Sequence, residues 1–201
     1  MGMRRRPVPK SIHNPFSAVL LAGGRSTRMG RDKAALMIEG QPLWQRQLAT
    51  LRALGPHELF ISGKSDGPYA QAGVEICPDD VPGLGPLAGI TVALRHAVTP
   101  FVLVLAVDLP DVSIEFLSKM LEETRHLKTG VVPSIDRHFE ALAAVYPRTA
   151  LPLAEECLRG EDRSMQRFAR RCCEAGLLTP LPIAAAHLAT FRNLNFPKDL
   201  E

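Results

Sequence analysis

Two groups of residues in this chain put charge where the sequence is leaving an apolar run. The first lies within Ala18–Leu36, where the apolar segment ends at Gly23 and Gly24 and is followed by Arg25, Arg28, Arg31 and Lys33. The second is Asp108, which directly follows the apolar run Phe101–Val107 and precedes Leu109 and Pro110. A glycine pair lets backbone N–H groups come close to a ligand, and cations behind it suit an anion of high charge such as a polyphosphate. A carboxylate at the end of a buried strand suits Mg²⁺, which takes one or two carboxylates and completes its shell with phosphate oxygens and water. Taken alone, the glycine loop reads equally well as a surface turn with solvated charges, and Asp108 as a turn former. The loop is neither G-x-G-x-x-G nor G-x-x-x-x-G-K-[ST], which argues against a dinucleotide fingerprint and against an ordinary P-loop. A third group, Asp79 and Asp80 in "CPDDVPGLGPLAG", has the residues to clasp a sugar or a base, or simply to turn the chain.

These groups need a scaffold that brings them to one place. Ala18–Leu21 is wholly apolar, as expected of a strand buried on both faces. Pro42 to about Leu54 reads as a helix, with a favoured proline in its first turn, Gly55-Pro56 as its stop, and Leu43, Gln47, Thr50, Leu51 and Leu54 as its inner stripe. Further strands are expected at 57–62, 73–77 and 101–107, and helices at 86–97 and 114–127. Strands alternating with helices predict a mostly parallel sheet covered on both faces, with ligands beyond the carboxyl ends of the strands. After Gly130 the pattern changes to two strands, 130–135 and 139–147. Two helices near 149–159 and 164–175 and a strand near 178–183 follow.

The chain has 201 residues, 46% of them apolar, and a net charge of +3. That is enough chain for one domain with a sizeable core, expected over residues 17–201 behind a flexible basic lead of residues 1–16. The lead has no apolar stretch of a secretory signal, and Phe101–Val107 is too short to span a bilayer, so no membrane partner is expected. A charge of +3 is small for a nucleic-acid binder. The four cysteines, Cys77, Cys157, Cys172 and Cys173, have no C-x-x-C spacing. A zinc site is not expected from them, and free thiols in a reducing cytoplasm are.

In order along the chain stand Leu21-Ala22-Gly23-Gly24, Arg28-Met29-Gly30 and Asp32-Lys33, then "GQPLWQRQL", "GLGPLAGI", "VDLP", "GEDRSMQRF" and "FRNLNFPKDL". Together they resemble the molybdenum cofactor guanylyltransferases of the MobA family, within the wider group of nucleotidyltransferases. The likeness runs over about residues 17–201. It implies a Rossmann-like three-layer α/β/α fold with a mostly parallel central sheet. It implies transfer of GMP from GTP to molybdenum-bound molybdopterin, releasing pyrophosphate, with Mg²⁺ as cofactor. By the same resemblance the backbone of Leu21, Ala22, Gly23 and Gly24 meets the nucleotide. Lys33 and Arg28 meet its phosphates, Ser62 and Asp79 are further nucleotide contacts, and Asp108 is the metal ligand. Passing contacts with other proteins of cofactor biosynthesis are expected, since a labile pterin calls for hand-over. Val107 stands where the family has Cys, Phe139 where it has Pro, and Phe196 where it has Thr; the last two touch the pterin side. The nearest alternative is a cytidylyltransferase of the same cofactor, but such enzymes read L-A-A-G, where Gly23-Gly24 leaves room for a larger base. A sugar-phosphate nucleotidyltransferase would carry a longer opening loop, and a regulator that binds nucleotide without turnover would not need both Lys33 and Asp108.

Overall fold

Phe16–Leu21 forms β1, and every one of its six residues is buried. The computed structural model describes residues 15–23, 33–78, 83–183 and 190–191. Phe16 is part of the strand, so the boundary expected after residue 16 moves to just before it; residues 1–14 lie outside the described residues. After the opening loop come a 3₁₀ turn at Lys33–Ala35 and a two-rung hairpin, β2 (Met37–Ile38) with β3 (Gln41–Pro42), which the sequence reading did not foresee. Pro42 ends that hairpin and caps α1 (Leu43–Ala53). The inner face of α1 is Leu43, Gln47, Leu48 and Leu51; Leu48 replaces Thr50 in the expected stripe.

The chain continues through β4 (Glu58–Ser62), β5 (Glu75–Cys77), α2 (Pro86–His96), β6 (Phe101–Ala106) and α3 (Ile114–Leu127). The Ser113 hydroxyl accepts from the Phe116 N–H to start α3, and Lys128, left-handed at φ 58°, ends it. Then follow β7 (Gly130–Ile135), β8 (His138–Phe139), β9 (Ala143–Pro147), α4 (Leu151–Arg159), α5 (Met165–Glu174) and β10 (Leu178–Pro182). The single strand expected over 139–147 is two, because the chain turns at Glu140–Leu142. Phe139 pairs with β7, whereas Ala143–Pro147 crosses to lie between β6 and β7.

The sheet order is β10-β7-β9-β6-β1-β4-β5, with β8 added to β7. It is mostly parallel, as expected; β9 runs against both its neighbours and β8 against β7. From β1 the chain steps outward to β4 and β5, then returns to β6 on the other side of β1. Right-handed crossovers in opposite directions put α1 and α2 on opposite faces. On one side α1 meets α3, and on the other α2 meets α4, which meets α5. The reversal between β1 and β6 is the topological switch point, where open α/β sheets leave a crevice at the strands' carboxyl ends. Lys33 and Asp108, one from each charged group of the sequence, stand at that crevice.

Candidate active site

Leu21 and Ala106 are register partners at the ends of β1 and β6. One residue further on, Val107 donates its N–H to the Leu21 carbonyl at 3.0 Å, so the turn carrying Asp108 is tied directly to the strand carrying the glycine loop. A second tie comes from α1. Gln47 is 1% exposed, and its Nε2 donates to the Leu109 carbonyl at 2.5 Å. A buried amide needs such a partner, and the carbonyl it holds belongs to the residue after Asp108. Gln47 stands on the expected inner stripe of α1, where a polar residue among leucines is the sequence signal for such a tie.

The loop after β1 rests on the end of β4. Ala22 and Gly23 both donate their N–H groups to the Ser62 carbonyl, each at 2.9 Å. These two amides therefore hold the start of the loop against the end of β4. Ser62 is itself only 3% exposed. Gly89 on α2 lies against it: a Cβ there would meet the Ser62 hydroxyl, and would stand 3.2 Å from Leu21 Cδ2. The last glycine of "GLGPLAG" thus lets α2 pack tightly onto the ends of β1 and β4. At the start of α2, Gly85 has φ 78° and Pro86 takes the first helical position, which aims the amino end of the helix at the crevice.

Tyr69, which sequence reading missed, is the wedge under this region. It is 1% exposed, and its hydroxyl accepts from the Lys64 N–H at 2.8 Å. A Cβ on Gly63 would run into that hydroxyl and stand 3.3 Å from the Gly23 nitrogen, and one on Gly67 would come within 2.5 Å of the same ring. The spaced glycines of "GKSDGPY" are its only trace in the sequence.

Lys33 and Asp108, 75 positions apart, form an ion pair at 3.0 Å with side chains 23% and 18% exposed. Lys33 opens the 3₁₀ turn, where buried Ala34 fixes the backbone beneath it. A cation and a carboxylate so close and half-shielded from water offset each other more strongly than they would at an open surface. Leu21, Ala22, Gly23, Lys33, Ser62 and Asp108 are therefore brought to one edge. Gly24, Arg28 and Asp79 lie outside the described residues, as do Arg25, Arg31, Asp80 and Phe196.

A second set of residues reaches the same edge from β7–β9. The Ala106 N–H donates to the Leu142 carbonyl at 2.9 Å, joining the turn after β8 to the end of β6. Asp136 and Arg137, both left-handed at φ 46° and 68°, reverse the chain from β7 into β8. Gln166 on α5 clamps β8: its Oε1 accepts from the Phe139 N–H at 3.0 Å and its Nε2 donates to the Phe139 carbonyl at 2.7 Å. The same Nε2 lies 3.1 Å from His138 Nε2. Burial raises the Glu140 carboxyl above its ordinary range, with His138 acting in the opposite direction. A polar face so placed, next to a perturbed carboxyl, can receive a second reactant.

The MobA-like NTP transferase domain family matches residues 18–175. A relative from Opitutus terrae named probable molybdenum cofactor guanylyltransferase is 37% identical over 187 residues, 92% of each chain. The molybdenum cofactor guanylyltransferase of Serratia proteamaculans is 31% identical, covering 77% of this chain and 79% of its own. Among solved structures, molybdopterin-guanine dinucleotide biosynthesis protein A from Archaeoglobus fulgidus aligns with a TM-score of 0.74 at 25% identity, over 92% of this chain and 94% of that one.

Proposed function

Since the chain belongs to the molybdenum cofactor guanylyltransferases, within the MobA-like NTP transferases, we propose that it transfers GMP from GTP to molybdenum-bound molybdopterin. The observation that carries the reading is the Lys33–Asp108 pair at the switch point. In the proposed reaction the terminal phosphate of the pterin attacks the α-phosphorus of GTP. A new P–O bond forms, the bond to the β-phosphate's bridging oxygen breaks, and pyrophosphate leaves. The nucleophile is already ionised, so no side chain has to remove a proton from it. What the site must supply is charge of the right sign in fixed places.

When GTP arrives, Lys33 turns from Asp108 to the triphosphate, assisted by Arg28. Asp108 is the residue that would hold Mg²⁺: a carboxylate at a strand end suits an ion that takes one or two carboxylates and its remaining ligands from phosphate and water. Bound there, Mg²⁺ would stabilise charge developing on the phosphoryl oxygens. Leu21, Ala22 and Gly23 offer backbone that Ser62 holds rigid, with Gly24 and Asp79 as further nucleotide contacts. The amino end of α2 adds a favourable dipole for the anion. His138 and Glu140 line the acceptor side, with Gln166 as a positioning residue. No described helix is long and apolar enough to cross a membrane, and all four cysteines are free thiols. Both fit a cytoplasmic enzyme that hands its product on through passing protein contacts. The test is pyrophosphate release with molybdenum-bound molybdopterin, Mg²⁺ and each nucleoside triphosphate in turn. GTP alone should support turnover; a preference for CTP would move the reading to a cytidylyltransferase.

A further inference from the structure

Glu75 and Cys77 stand two residues apart on β5, so their side chains leave the strand on the same face. His96, the last residue of α2, comes down on that face. One ligating atom from each of the three lies within 4.8 Å of the other two. His96 Nδ1 and a Glu75 carboxylate oxygen are 3.6 Å apart. The imidazole is steadied from behind by Phe60 on β4, edge to face with ring centroids 6.5 Å apart. Nitrogen and oxygen donors at about 2.0–2.2 Å from one tetrahedral ion stand roughly 3.3–3.6 Å from each other. The histidine and the carboxylate are thus already at the separation of shared ligands, with the Cys77 sulfur within 4.8 Å of both.

We propose that Glu75, Cys77 and His96 form a binding site for a borderline divalent transition-metal cation of the zinc class, with a fourth position open to solvent. The donor set decides the class. Thiolate and imidazole favour zinc and its neighbours, whereas Mg²⁺ and Ca²⁺ take oxygen. Among the described residues no other group of three such side chains converges in this way. The site is separate from Asp108, because β1 and β4 lie between β6 and β5. Three strand spacings of about 4.8 Å put it some ~14 Å along the sheet. Burial, and then the charge of Glu75, push the Cys77 thiol up to about 11; a bound dication reverses both effects by binding the thiolate directly. The cation would fasten the edge strand β5 to α2. Cys77 leads through Pro78 to Asp79, so the fastening lies at the entry to a loop assigned above to the nucleotide.

Co²⁺ serves as the spectroscopic probe, titrated into the full chain without nucleotide or Mg²⁺. The expected result is one Co²⁺ per chain with thiolate-to-cobalt charge-transfer absorption, displaced by Zn²⁺ and not by Mg²⁺. Cys77→Ser should abolish that absorption. His96→Asn and Glu75→Gln, at exposed positions where folding is not at stake, should weaken Co²⁺ binding about tenfold or more. Absence of the absorption in the parent chain, its survival in Cys77→Ser, or parental affinity in His96→Asn would each overturn the proposal.

Discussion

At the centre of the sheet, the loops after β1, β4 and β6 are fixed to one another by main-chain groups. The Ser62 carbonyl takes the amides of Ala22 and Gly23, and the Leu21 carbonyl takes that of Val107. Toward the β7 end, the short strand β8 is held from the helix layer by a side chain, Gln166 against Phe139. Main-chain bonds at strand ends do not depend on which side chains stand there, so the central region tolerates side-chain change. A clamp that rests on one glutamine can be retuned by one substitution. The departure at Phe139 falls in the second region, and what Gln166 grips there is the backbone.

That contrast can be broken from either side. The largest effect is expected at the centre. Asp108→Asn should leave the fold intact and lower Mg²⁺-dependent pyrophosphate release on the order of a hundredfold or more, since the anionic ligand that would hold the cation against the phosphoryl charge is lost. Parental turnover would remove Asp108 from the site. Next comes Gly63→Ala, where the new Cβ collides with the Tyr69 hydroxyl and crowds the Gly23 nitrogen. Over-packing of this kind costs about 1–3 kcal/mol, read as a lower denaturation midpoint, and GTP affinity should fall with it. A stable variant with parental GTP affinity would show that Tyr69 does not brace the loop.

On the other side, Gln166→Ala removes two hydrogen bonds from the Phe139 backbone, each worth about 0.5–1.5 kcal/mol. It should raise KM for molybdopterin about tenfold while the Kd for GTP changes by less than about twofold. Equal losses for both substrates would erase the distinction between the two regions. The smallest effect is expected at Glu140. Burial raises its carboxyl in the folded chain, so the folded state holds its proton to higher pH than the unfolded state does. Stability is then lost as pH rises through that raised range. Glu140→Gln should flatten this loss in thermal melts across the acid-to-neutral range; an unchanged slope would mean that the carboxyl is solvated.

Much of the central region was legible in the sequence because its constraints are local. Apolar runs marked β1 and β6, glycines marked the close approaches, and Asp108 stood at a strand end. The Lys33–Asp108 pair was not legible, because it joins positions 75 apart and depends on how the 3₁₀ turn folds back. The partner of the Ala22 and Gly23 amides was not legible either, since only the register of β1 with β4 reveals that the Ser62 carbonyl takes them. Around β8 the reading failed for a different reason. "FEALAAVYP" has strand composition throughout, and the turn at Glu140–Leu142 comes from which neighbour each half pairs with. The Glu75–Cys77–His96 cluster shows the same limit, with two residues at strand spacing and a third contributed by a helix that packs on them.

Whether Lys33 serves phosphate is tested most directly by calorimetric titration of Lys33→Ala with GTP and with guanosine. A charge-assisted hydrogen bond is worth about 1.5–3 kcal/mol, so GTP should bind roughly ten- to a hundredfold more weakly, and with a shallower dependence on salt. Guanosine, which carries no phosphate, should change by less than about twofold. If guanosine lost as much affinity as GTP, Lys33 would be shaping the base pocket, and the exchange of Asp108 for triphosphate proposed for it would be wrong.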